Sequence, residues 1–195
     1  MDRDYWGTQE DYDERQYMYR DEAAHIREQF RLLWEQHVYW TRMAILGIAF
    51  ASPDLAATTA RLLRNATDFG RLFRRFYGKA VGDQIESLIR EHLIIAGDLV
   101  KAAKAGNTKE AAAAEKRWYE NADNIVRFLR RINPHWNIRQ MRDMWYEHLT
   151  LTKREAVAIL NSDYAASIVT FERIEKEALM MADEFSNGII AQFDI

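Results

Sequence analysis

Apolar residues along this chain recur at helical rather than strand spacing. Ile26, Phe30, Leu33, His37, Trp40, Ala44 and Ile48 fall on one face when placed three and four residues apart, which predicts a helix over about 22–50. Ser52-Pro53 then reads as a restart, with Ser as N-cap and Pro at the first helical position. The second predicted helix runs to about Tyr77, where Gly78 can cap it. A third covers roughly 80–105 and stops at Gly106, and a fourth runs from Thr108 to about Ile132 before Asn133-Pro134. Asn137 starts a fifth, to about Leu160, and a sixth follows the break Asn161-Ser162-Asp163.

Long helices joined by short connections imply antiparallel neighbours. The expected fold class is therefore all-α: a six-helix bundle of three antiparallel hairpins, ferritin-like or a similar up-down bundle. Residues 22–195 form one domain. Residues 1–21 mix Asp2, Asp4, Glu10, Asp11, Asp13, Glu14 and Asp21 with Tyr5, Trp6, Tyr12, Tyr17 and Tyr19, and no period fits them. They read as an arm that packs on the bundle, on a second copy of the chain or on a protein partner.

Polar residues on the apolar faces carry the candidate chemistry. His37, His92 and His148 follow one another at intervals of 55 and 56 residues. Their contexts match: Leu33-Trp34-Glu35-Gln36-His37, Leu88-Ile89-Arg90-Glu91-His92 and Met144-Trp145-Tyr146-Glu147-His148. A period of about 55 residues marks a duplicated structural unit. The residues three and four positions before each histidine are apolar, so each imidazole is expected to point inward and to need a partner.

The second helix of each pair supplies a recurring acid: Asn65-Ala66-Thr67-Asp68, Asn121-Ala122-Asp123 and Met181-Ala182-Asp183. His37 to Asp68 and His92 to Asp123 are both 31 residues, with midpoints at the expected turns, whereas His148 to Asp183 is 35. Equal distances from a turn put two residues at one level of a hairpin, so each His is expected to face an Asp. Two readings follow. In one, His37, His92 and His148 bind iron, manganese or zinc, with Asp68, Asp123 and Asp183 as ligands or orienters. In the other, each pair is a buried lock that fixes helix register in a structural or interaction module, with no chemistry.

Several motifs bound these readings. None of His37, His92 and His148 lies in a Glu-x-x-His, the ligand pattern of ferritin-like di-iron bundles (the chain's one match is Glu22-Ala23-Ala24-His25), and there is no His-Glu-x-x-His. Glu91 and Glu147 directly precede histidines and point about 100° away from them. Thr41 and Thr152 follow His37 and His148 by four residues and share their face, with Ala96 at the equivalent place after His92. Trp34, Trp40, Trp118 and Trp145 read as bundle packing, and His25 and His135 as residues near helix ends. The basic runs at 71–79 and 127–131 sit where cations offset the helix dipole.

The 195 residues suffice for one sizeable core. Only 8 Gly and 2 Pro disfavour a turn-rich β protein, and the absence of Cys removes disulfides and thiolate metal sites. A net charge of −3 argues against nucleic acid as a partner. The apolar stretch 43–51 is too short to span a bilayer, and the acidic N-terminus lacks the apolar core of a signal peptide. A cytoplasmic protein with no membrane partner is the expectation. No glycine-rich phosphate loop or Gly-x-Ser-x-Gly elbow is present.

The segments LLWEQHVYWTRMAI, TARLLRN, EHLIIAGDLVKAAKAG, WYENADNI, INPHW and EHLTLTKREAV resemble a bacterial family of small all-helical proteins with no activity assigned. The resemblance covers about residues 30–193. Members of that family are sometimes labelled acetylglutamate kinases, a label this sequence does not support, because such a kinase needs an α/β fold with a glycine-rich phosphate site.

Overall fold

The computed structural model describes the backbone from residue 9 and side chains from residue 21 to the C-terminus. Five helices account for nearly all of it: α1 (Gln9–Phe50), α2 (Leu55–Lys104), α3 (Thr108–Ile132), α4 (Ile138–Leu160) and α5 (Tyr164–Phe193). α1 packs against α2 and α5, α2 against α3, and α4 against α3 and α5. Among the described residues no strand occurs, and no helix is long and apolar enough to cross a membrane.

Local signals set most boundaries. Asn137 caps α4 by accepting from the Arg139 and Gln140 amides, and Asp163 caps α5 by accepting from Ala166. Asn107, one residue before the expected Thr108, caps α3 by accepting from Glu110. α2 starts at Leu55 rather than at Pro53. α1 begins at Gln9, so helix continues well upstream of the expected start at 22. Residues 1–8 of the expected arm, and the side chains of 9–20, lie outside the described residues.

The expected second and third helices are one 50-residue element, α2, broken only at Gly78. Gly78 has φ 78° and ψ 177°, a backbone state that glycine alone adopts readily. Helical geometry resumes on both sides of this single residue without a loop, which is why five helices appear where six were expected. The two halves of α2 double back on each other about Gly78. Thr67 Oγ1 donates to Glu86 Oε1 at 2.8 Å, and a Cβ on Gly70 would stand 2.9 Å from the Gly82 carbonyl oxygen. The paired glycines let the two backbones touch.

The core is one cluster centred on large aromatics. Trp34, Trp118, Trp136 and Trp145 are all fully buried, with Phe30, Phe69, Phe73 and Phe185 around them. Trp136 lies in the α3–α4 connection, donates its indole N–H to Glu184 O at 3.1 Å, and pins that connection to α5. A smaller apolar cluster (Ile45, Ile48, Val100, Ala156 and Ile159) lies toward the other end of the bundle.

Candidate metal centre

α1 carries His37, the second half of α2 carries His92, and α4 carries His148. All three are buried, at 1–2% exposure. Their helices present the same face inward. Phe30, Ile85 and Met141 are buried seven residues before the histidines, Trp34, Ile89 and Trp145 three before, and Val38, Leu93 and Leu149 one after. That phase brings the imidazoles together at one level. Ring centroids lie 5.9 Å (His37–His92), 5.5 Å (His37–His148) and 6.1 Å (His92–His148) apart. One ring nitrogen from each lies within 4.8 Å of the other two.

The outward nitrogen of each ring is engaged. His37 Nδ1 is 2.9 Å from Asn65 Oδ1, His92 Nδ1 is 3.3 Å from Asn121 Oδ1, and His148 Nδ1 is 3.0 Å from Glu177 Oε2. The asparagines fix the direction of these bonds. Asn65 Nδ2 donates to Leu33 O at 2.9 Å and Asn121 Nδ2 donates to Leu88 O at 3.2 Å, each carbonyl one turn before the histidine concerned. With the amide nitrogen committed to a carbonyl, the amide oxygen faces the imidazole and accepts from it, so Nδ1 carries the hydrogen. A carboxylate at Glu177 likewise accepts. A ring that donates from Nδ1 and is otherwise neutral keeps its lone pair on Nε2.

Electrostatics hold two of the rings uncharged. Burial pushes His37 down to about 3, helped by His148 and opposed by its bond to Asn65. Burial, then His37 and His148, push His92 well below the usual histidine range. Desolvation penalises the imidazolium and leaves the neutral form that a metal requires.

An aromatic wall surrounds the rings. Trp34 lies 5.3 Å from His37 and 5.8 Å from His148, Trp145 lies 5.1 Å from His92, and Trp118 packs on His92 at 5.2 Å and 32°. Seven buried side-chain polar atoms among the described residues have no hydrogen-bond partner, and five of them belong here. They are the indole nitrogens of Trp34, Trp118 and Trp145, His92 Nε2 and Glu177 Oε1. Buried polar atoms are rarely left unpaired, and these five are concentrated around the three rings.

The three expected acids are elsewhere. Asp183 forms a two-pronged pair with Arg31, both contacts 2.7 Å. Asp123 is held by Arg142 and Tyr146, and Asp68 by Arg64 and Arg71. Asp68, Asp123 and Asp183 therefore do not face His37, His92 and His148. The reason is helical phase and level: Asp123, two residues beyond Asn121, is turned about 200° from it, and Asp68, three beyond Asn65, is turned about 60° and shifted about 4.5 Å along the helix, where Arg64 and Arg71 meet it. A sequence signal for the true partners existed. Asn65-Ala66, Asn121-Ala122 and Glu177-Ala178 recur at 56-residue intervals, and the three His-to-partner separations are 28, 29 and 29 residues. Requiring an acid in every copy concealed it.

One turn beyond the histidines, Thr41, Ala96 and Thr152 line a cavity of about 370 Å³. Thr41 donates its hydroxyl to His37 O at 2.7 Å. Glu91 accepts from Asn121 at 2.9 Å, while Glu147 pairs with Arg173 at the surface. Comparison with protein-family models, curated proteins and solved structures finds no match for this chain.

Proposed function

We propose that the protein binds one divalent transition metal through Nε2 of His37, His92 and His148, with Asn65, Asn121 and Glu177 orienting the rings. The observation that carries this reading is the fixed direction of the asparagine bonds. With the Glu177 bond, they leave the lone pair on Nε2 in three rings that share one level of the core, and His92 Nε2 is buried with no partner.

The donor set fits. A point equidistant from three atoms 4.8 Å apart is about 2.8 Å from each, against roughly 2.0–2.1 Å for a zinc–imidazole bond. Each ring needs to close by less than 1 Å. An imidazole-only set suits zinc or iron better than manganese, which prefers oxygen ligands. It also differs from the carboxylate-rich set of ferritin-like centres. Three protein ligands with a fourth position open is the arrangement in which a metal polarises a bound water or carbonyl.

The organisation of the chain supports the same reading. Three hairpin units of about 56 residues would each contribute one histidine and its own acceptor. Leu62, Trp118 and Ile174, and Phe73, Leu129 and Phe185, recur at that interval and are all buried. A register lock alone would use only Nδ1, so the unpartnered His92 Nε2 favours the metal reading over it.

Elemental analysis of protein purified without an affinity tag tests this. The expected result is one equivalent of zinc or iron, lost in His92→Ala and kept in Asp183→Asn. Protein that neither carries nor takes up zinc or ferrous iron, when titrated in a calorimeter, refutes it.

A further inference from the structure

We infer that the cavity beside the histidines is the binding chamber for an aliphatic monocarboxylate, with its tail in the chamber and its head at the metal. This inference rests on the metal reading above.

Three independent observations lead to it. First, the chamber lies one helical turn from the centre. Thr41, Ala96 and Thr152 line it one helical turn from His37, His92 and His148, and Trp118, which packs on His92, forms part of its wall. Beyond this inner end the wall is largely apolar, including Ile45, Leu62, Leu93 and Val100, and two acids (Asp98, Glu115) and two lysines (Lys101, Lys153) also border it. About 370 Å³ holds on the order of a dozen groups of roughly 30 Å³ each, a typical small-molecule volume.

Second, the inner end has a donor to offer. Trp118 is 2% exposed, and its indole N–H has no partner. A ligand oxygen at the metal would supply the acceptor. Charge points the same way: a divalent ion with three neutral imidazoles and one nearby carboxylate, Glu177, keeps one positive charge for a monoanion to neutralise.

Third, Gly97 lines the chamber in mid-helix with ordinary helical backbone, and a Cβ built on it meets nothing within 4 Å. No positive φ and no close helix approach asks for glycine there. Its effect is to keep the wall open.

Cobalt-loaded protein titrated with acetate, hexanoate and decanoate tests the inference, read by ligand-field absorption and by tryptophan fluorescence. Expected is affinity that rises by up to about fourfold per methylene until the chamber is full. In Gly97→Leu, which has room to fold, the dependence on chain length should vanish while acetate still perturbs the cobalt spectrum. Cobalt-loaded protein that binds acetate and decanoate equally well, or neither, overturns the inference. Protein that takes up no cobalt, yet shows saturable quenching by decanoate that Gly97→Leu removes, refutes the metal reading and supports the chamber on its own. Absence of saturable quenching in both forms refutes the chamber.

Discussion

His148 Nδ1 lies 3.0 Å from a carboxylate oxygen of Glu177, where its two counterparts meet asparagine amides. The exchange of Asn for Glu breaks an otherwise threefold pattern. It places one formal charge beside one imidazole and removes the amide hydrogen that the other two sites give to a backbone carbonyl. A carboxylate behind a ligating histidine raises the basicity of its Nε2.

Glu177→Gln keeps an acceptor for His148 and restores an amide donor. Metal affinity is expected to fall about 10–100-fold, as is usual when such a partner is altered. The urea midpoint of the chelator-treated protein should hold or rise, because Glu177 is 3% exposed and its Oε1 has no partner. Competition with a chromophoric chelator measures the first effect and denaturant titration the second. Unchanged affinity would show that the charge plays no part.

Asn121→Ala leaves His92 Nδ1–H without its acceptor and takes one donor from Leu88 O. The cost is expected to be about 1–3 kcal/mol in metal-free protein, the range for an unsatisfied buried group. Asp123→Asn, two residues away in an exposed ion pair, is the control and should shift stability by no more than about 0.5 kcal/mol. Equal effects of the two substitutions would contradict the assignment of Asn121 as the partner.

Acid should destabilise the chelator-treated protein from pH 6.5 downward. Unfolded histidines bind a proton near their ordinary value of 6.5, whereas folded His37 does so only at about 3 and folded His92 well below 6.5. Between those values the unfolded state holds more protons, so stability falls with pH by about 1.4 kcal/mol per unit for each proton. Glu155 opposes this. Burial, only partly offset by Arg42, raises it to about 7, so the folded state holds its extra proton from about 7 down to 4.5. Two histidines outweigh one glutamate, and urea midpoints measured from pH 7 to 4 should decrease. In His37→Gln the decrease should be shallower by one proton. A flat profile would mean that the imidazoles are charged in the folded protein.

Two helical glycines should respond oppositely to alanine. Gly97→Ala enters open space and should stabilise by about 0.5–1 kcal/mol through helix propensity. Gly188→Ala drives its Cβ into the Trp136 indole, which is buried and tied to Glu184 O, and should cost about 1–3 kcal/mol. Thermal melts of the two variants distinguish these directions, and a destabilised Gly97→Ala would show that the chamber wall is closed at that point.

Apolar spacing around Ile26, Phe30, His37 and Ile48, and the stop signals at Gly78, Gly106, Asn137 and Asp163, determined the helices and their inward faces, because periodicity and capping act within a few residues. They also brought His37, His92 and His148 to notice. Tertiary structure alone decided what each imidazole meets. Whether Asn65 or Asp68 faces His37 depends on the rotational phase and axial level of one helix against another, which change by about 100° and about 1.5 Å per residue. The chamber is likewise a product of packing: Thr41, Ala96, Gly97 and Thr152 enclose space only once three separate helices converge.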